Sequence, residues 1–114
     1  MNVLVDDAVV ELRRIMAEGL LFPVFQPILD FRVRAVLGYE SLIRGPESSK
    51  LHWPVDLFAT AARHGLTQDL EHACREASLR AFAAQRLPGR LFLHVTPACF
   101  MDDRLMNGHT RALL

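Results

Sequence analysis

The chain has 114 residues, of which 51% are hydrophobic and 23% are charged. This balance is typical of a folded chain and excludes disorder as the default state, while the length allows at most one domain. Thirteen basic and thirteen acidic residues cancel to a formal charge of zero. We therefore expect no general attraction to nucleic acid or to an anionic membrane surface.

The start of the chain does not resemble a signal peptide, because it carries acidic residues where Lys or Arg is needed and has no long apolar run. No stretch approaches the roughly 20 apolar residues of a membrane span. Cys74 and Cys99 form neither a CxxC pair nor a disulfide framework, and the apolar surroundings of Cys74 predict a buried thiol. We expect a cytoplasmic protein.

The first element in chain order is a predicted helix over residues 6–18. Asp6 or Asp7 can cap its start, and Gly19 can end it. Apolar residues recur at helical spacing, at Val9, Leu12, Ile15 and Met16. We interpret residues 1–21 as a leading helical segment and residues 22–114 as the main part of the fold.

Two short, apolar and β-rich stretches follow, Pro23–Asp30 and Val36–Arg44, and they predict two strands. Pro27 predicts that the first is an edge or irregular strand, because proline cannot donate to a ladder. The link between the two strands is short, which favours an antiparallel hairpin over a parallel pair.

The second half predicts two helices and a third strand. Pro54 is placed where a helix accepts proline, in its first turn, and Thr67 begins a longer helix that stops before Pro88. The stretch Leu91–Thr96 is almost continuously apolar, which is typical of a parallel strand covered on both faces. Pro97 would begin a last short helix. Helices between strands indicate an α/β fold with at least one parallel crossover.

Strand parity groups several polar side chains, because residues two apart lie on the same face of a strand. Glu40, Leu42 and Arg44 share a face of the second strand, while Gln26 and His94 each lie on one face of a neighbouring strand. A carboxylate is a hard ligand for Mg²⁺ or Mn²⁺, and an arginine can grip a phosphate with two hydrogen bonds.

Spacing alone favours plainer roles for these residues. Glu40 and Arg44 would form a surface ion pair, His94 would be a hydrogen-bonded core histidine, and Gln26 would bind backbone. The other histidines show no zinc spacing and are interpreted as ordinary surface or loop residues: His52, His64, His72 and His109.

Four blocks in order resemble the EAL domain family. Phe25-Gln26-Pro27-Ile28 is similar to the family's FQPI strand, and Gly38–Arg44 is similar to its GYEALxR strand, with Ser41 in place of alanine. A further likeness lies in the helix after that strand, at Pro54, Leu57, Phe58, Ala61, Gly65 and Leu66. The block Leu91–Pro97 resembles the family's LFxNxSP, with His94 in place of asparagine.

This resemblance implies a fold and an activity. The family fold is a TIM-type (β/α)8 barrel with an antiparallel first strand, and such barrels take about 250 residues. We therefore expect about three strands with flanking helices, the N-terminal portion of such a barrel, and interpret residues 1–114 as a partial EAL domain. The family hydrolyses cyclic di-GMP, a bacterial second messenger, with Mg²⁺ or Mn²⁺ ions that activate water and neutralise phosphate.

Matched positions imply the roles of individual residues. Glu40 and His94 would bind metal, and Gln26, Glu40, Leu42 and Arg44 would contact cyclic di-GMP. The Ser41 change replaces one small residue by another, whereas an imidazole at residue 94 suits Mn²⁺ better than Mg²⁺. The family's catalytic lysine and paired-aspartate DDFG block have no counterpart before Leu114.

Our interpretation is therefore a fragment of a cyclic di-GMP phosphodiesterase, without a complete catalytic set and inactive in isolation. The alternative is a degenerate EAL module that binds a nucleotide or a protein partner without chemistry. The apolar third strand would lack a fourth strand beside it, and exposed apolar edges recruit other chains. We expect a homodimer formed through such open edges.

Overall fold

The computed structural model describes residues 6–95. Three helices and three strands follow each other in the order α1 (Asp7–Ala17), β1 (Phe22–Asp30), β2 (Ala35–Arg44), α2 (Pro54–Arg63), α3 (Thr67–Gln85) and β3 (Arg90–Phe92). This order of helices and strands confirms the predicted α/β pattern. No helix among the described residues is long and apolar enough to cross a membrane.

The three strands form one sheet in the order β1-β2-β3. β1 runs antiparallel to β2, as the short link predicted, with an irregularity between Ile28 and Leu29. β3 runs parallel to β2, so that α2 and α3 form the predicted crossover. β1 lies at an edge, which explains why it accommodates Pro27 within a ladder.

The end groups of α1 are satisfied as its sequence predicted. The Asp6 carboxylate accepts a hydrogen bond from the backbone N–H of Ala8 at 2.9 Å, and Gly19 follows the helix with φ +65°. Leu12 and Ile15 are fully buried on the inner face of the helix. They join a core between the helices and the sheet that includes Leu21, Ile43, Leu51, Leu57, Ala61, Leu66 and Leu70.

The buried face of α3 differs from a simple apolar stripe. Beside Leu70 and Leu79, its buried positions are polar: Glu71, His72, Arg75 and Ser78. The prediction that His72 is an ordinary surface or loop residue is therefore wrong. Its ring binds Arg75 at 3.0 Å and Glu76 at 2.7 Å, and such partners make the burial of an imidazole tolerable.

The third strand is shorter than predicted. Of the described residues after α3, only Arg90–Phe92 pair with β2, whereas the apolar pattern predicted a strand over Leu91–Thr96. Phe92 is 37% exposed. Thr96, the helix expected from Pro97, Cys99 and His109 lie outside the described residues.

Candidate functional site

The strand register brings the polar residues of the sheet to one face. Gln26 lies directly opposite Glu40 in the β1–β2 pair, and Phe92 lies beside Glu40 in the β2–β3 pair. Paired residues point to the same side of a sheet, and His94 follows Phe92 by two positions. Gln26 and Glu40 therefore share a face of the sheet.

Glu40 and His94 are in direct contact. The Glu40 carboxylate accepts a hydrogen bond from Nε2 of His94 at 2.5 Å, which assigns the ring proton to that nitrogen. The His94 side chain is 78% exposed and that of Glu40 is 31% exposed. The interpretation of His94 as a core histidine is therefore wrong, and the contact gives Glu40 a partner other than Arg44.

The described residues do not form a metal site on their own. No group of three or more His, Cys, Asp or Glu side chains converges within residues 6–95. Glu40 and His94 would supply one carboxylate and one imidazole, whereas Mg²⁺ needs near-octahedral oxygen coordination and imidazole suits Mn²⁺ better. Two donors leave most coordination positions of either ion to other groups.

Arg44 ends β2 and has no acidic partner in the described part of the chain. Its Nη1 donates a hydrogen bond to the carbonyl oxygen of Ile43 at 2.9 Å, and its guanidinium carbon lies 5.1 Å from the centroid of the Trp53 ring. Within residues 6–95 it forms no ion pair, so the expected surface pair between Glu40 and Arg44 is absent there. The remaining N–H groups of the guanidinium stay available to an anion.

A groove of about 510 Å³ opens beside the end of β2. Leu42, Arg44 and His94 line this groove. The groove runs along the part of β2 that lies beyond the residues paired with β3. Apolar walls come from Phe58, Leu93 and Val95. Gln26 does not line this groove, although it lies across from Glu40. The predicted substrate contacts are thus divided between the groove and the sheet face beside it.

The side of the groove formed by α3 is polar, and a hydrogen bond joins it to β2. Glu71, Arg75 and Ser78 line it, and all three are buried. Ser78 donates to the carbonyl oxygen of Cys74 at 2.8 Å, which leaves the Ser41 hydroxyl to donate to Ser78 Oγ at 2.6 Å. Ser41 is therefore more than a small residue in place of alanine, because it ties β2 to α3.

Cys74 also lines the groove. Burial raises the pKa of its thiol to about 12, and the Glu71 carboxylate adds a smaller effect in the same direction. The thiol stays protonated at neutral pH and is a poor nucleophile or metal ligand. The sequence predicted a buried thiol, and Cys74 is partly buried against the core.

Sequence reasoning missed Trp53, which contacts Arg44 from nine positions away. The only signals were that Trp53 is the single tryptophan of the chain and that it directly precedes a helix that begins with proline. The contact between Ser41 and Ser78 was missed as well.

Comparisons with known proteins bear on the family and the fold. The family model described as EAL domain matches residues 9–114. The FimX EAL domain of Xanthomonas citri in complex with c-diGMP is 20% identical with a TM-score of 0.78, over 95% of this chain and 43% of that one. The FimX EAL domain from Pseudomonas aeruginosa bound to c-di-GMP is 21% identical with a TM-score of 0.74, over 95% and 46%.

These structures confirm the predicted fold, the N-terminal portion of a TIM-type barrel with an antiparallel first strand. The chain spans less than half the length of either structure, and at these identities the likeness shows the fold alone. No curated protein matches the sequence significantly. Because the family model covers nearly the whole sequence, the chain belongs to the EAL domain family.

Proposed function

We propose that this chain supplies a cyclic di-GMP-binding portion of an EAL domain in bacterial second-messenger signalling, and that by itself it binds without hydrolysis. The observation that carries the proposal is the guanidinium of Arg44, which lines the groove without an acidic partner among residues 6–95. An arginine that is free of carboxylates can grip a phosphodiester with two parallel hydrogen bonds.

The groove also suits the rest of such a ligand. Its volume of about 510 Å³ falls within the roughly 300–1,000 Å³ of small-molecule sites. Leu42, Leu93 and Val95 offer apolar surface for a base, while Arg44 meets a phosphate. The two similar solved structures hold c-di-GMP, which supports this choice of nucleotide.

Hydrolysis requires more than the described residues provide. Glu40 and His94 are the two candidate metal donors of the sheet face, and a water can be activated only when the coordination of the metal is completed by further groups. A metal bound there would polarise the phosphate and lower the pKa of its water. In this chain Glu40 and His94 would orient that ion, and Arg44 would hold the diester.

The second candidate is a metal-dependent phosphodiesterase, the activity that the family resemblance implied. The contact between Glu40 and His94 favours it, because it places two donor groups beside the groove. The two functions differ in product: a phosphodiesterase releases the linear dinucleotide, whereas a binding module returns the cyclic one unchanged.

An equilibrium titration with cyclic di-GMP tests the proposal. The wild-type chain should bind saturably, and Arg44→Gln should weaken binding at least about tenfold, because a charge-assisted pair contributes roughly 1.5–3 kcal/mol. Arg13→Gln removes a matched, exposed arginine on α1 and should leave the affinity unchanged. Equal losses in both variants, or no binding by the wild type, would contradict the proposal.

A further inference from the structure

Among residues 6–95, the guanidinium of Arg44 makes two contacts, neither of which involves an opposite charge. Nη1 donates to the carbonyl oxygen of Ile43 at 2.9 Å, and the guanidinium carbon lies 5.1 Å from the Trp53 ring centroid. A cation at this distance from an indole face is attracted by the ring quadrupole. These contacts hold the cation in place, and its other donors have no partner within residues 6–95.

Trp53 is itself held by the loop that precedes it. The ring of His52 lies 4.7 Å from the Trp53 ring, at an interplanar angle of 74°. Nδ1 of His52 donates to the carbonyl oxygen of Gly45 at 2.8 Å, and the Gly45 N–H donates to the His52 carbonyl oxygen at 2.8 Å. A Cβ at residue 45 would lie 2.2 Å from the Leu51 carbonyl oxygen, so this closure requires glycine.

Burial in the core does not account for the position of the Trp53 side chain. The residue is 55% exposed, and it caps α2 without a side-chain hydrogen bond. Its ring lies against the ring of His52 and beneath the cation of Arg44. A large aromatic side chain in this position presents its π-face to Arg44, which forms no ion pair within residues 6–95.

We propose that Trp53 is a positioning residue for Arg44, holding the guanidinium at the groove before any ligand arrives. The loop closure between Gly45 and His52 orients the indole, and the indole orients the cation. A preplaced arginine loses less rotamer freedom when it grips a phosphate. The consequence for affinity rests on the proposed function, whereas the contact itself does not.

The contact is tested first without ligand. In a ¹H–¹⁵N spectrum of the full chain labelled on arginine, the Arg44 Nε–H signal is identified by its loss in Arg44→Gln. We expect a ring-current shift of this signal that persists in Trp53→Phe and disappears in Trp53→Leu. Val55→Ala, at a residue that is 73% exposed two positions further on, is the matched control and should leave the shift intact.

Affinity for cyclic di-GMP is then measured on the same samples. Trp53→Leu should weaken binding about two- to fivefold, as expected for an exposed cation–π pair, and Trp53→Phe should weaken it less. Circular dichroism checks that each variant is folded. Because leucine keeps apolar bulk but has no quadrupole, a difference between the Phe and Leu variants separates positioning from packing.

The inference is overturned if the Arg44 signal does not change in Trp53→Leu. It is also overturned if that variant loses the ring-current shift but keeps the wild-type affinity for cyclic di-GMP. A wild-type chain that binds no cyclic di-GMP refutes the proposed function instead. The ring-current result then decides alone whether Trp53 holds Arg44.

Discussion

The Glu40 carboxylate accepts a hydrogen bond from His94 Nε2 at 2.5 Å, from a residue 54 positions later in the chain. The contact joins β2 to the segment that follows β3, and it unites the two residues proposed as metal donors. A carboxylate with an imidazole beside it is a donor set that favours Mn²⁺ over Mg²⁺. Within residues 6–95 this set contains only two donors, so we expect it to bind a metal ion weakly.

Weak metal binding with a preference for Mn²⁺ is the first prediction. In an electron paramagnetic resonance titration, the chain should bind Mn²⁺ weakly, and Glu40→Gln should remove that binding. Mg²⁺ should displace Mn²⁺ poorly from the wild type and more readily from His94→Asn, because an amide oxygen replaces the imidazole. Equal competition by Mg²⁺ in both proteins would show that His94 does not contact the metal.

The second prediction concerns the buried bond between Ser41 and Ser78. Ser41→Ala should lower the free energy of unfolding by about 1 kcal/mol, the usual net value of such a hydrogen bond. Ser78→Ala leaves the buried Ser41 hydroxyl without its acceptor and should cost more. Urea melts of both variants and of the double mutant measure the coupling. Additive costs would mean that the two hydroxyls do not stabilise each other.

The third prediction is a pH dependence at the junction of α1 and α2. The hydrogen bond from His64, with smaller contributions from the Ala8 N–H and from Arg63, holds the pKa of Asp6 below its usual value of 3.8. Because the pKa of Asp6 is lower in the folded chain than in the unfolded chain, its ionised carboxylate stabilises the fold at pH values above the usual pKa. This stabilisation is lost as the pH falls through the folded pKa.

Asp6→Asn keeps a capping side chain but removes this charge. Its melting temperature should therefore fall less than that of the wild type between about pH 6 and about pH 2. Glu47→Gln, at an exposed acid in the loop after β2, is the matched control. A wild-type acid response in Asp6→Asn would refute the role of Asp6.

Self-association is the fourth prediction. β3 pairs with β2 along only three residues, and Phe92 is partly exposed beside an edge that has no strand partner within residues 6–95. Open apolar edges attract further chains, and an obligate dimer interface buries about 2,000 Å² or more. Sedimentation should show a dimer that Phe92→Lys weakens and Val55→Lys does not. A stable wild-type monomer at micromolar concentration would contradict this prediction.

Local chemistry explains what the sequence predicted well. The cap at Asp6, the break at Gly19 and the short link before β2 act within a few residues, so each could be inferred without the fold. Strand parity likewise predicted that Glu40, Leu42 and Arg44 share a face of β2. That Gln26 lies opposite Glu40 follows from the register of the β1–β2 pair, which parity alone cannot give.

Contacts between distant parts of the chain could not be inferred in this way. His72 is buried because Arg75 and Glu76 satisfy it, and only the packing of α3 against the sheet shows that its polar face turns inward. The contact between Arg44 and Trp53 depends on how the intervening loop closes. The length of β3 likewise depends on neighbouring strands rather than on its own apolar pattern.

Phosphorus NMR of cyclic di-GMP, mixed with the chain in the presence of Mg²⁺, tests the central claim most directly. Binding without hydrolysis predicts that the phosphodiester signal shifts or broadens as chain is added, that Arg44→Gln suppresses this change, and that no phosphomonoester signal grows with time. A diester signal that the chain leaves unchanged would contradict binding. A growing monoester signal that Glu40→Gln abolishes would show instead that the chain is a phosphodiesterase.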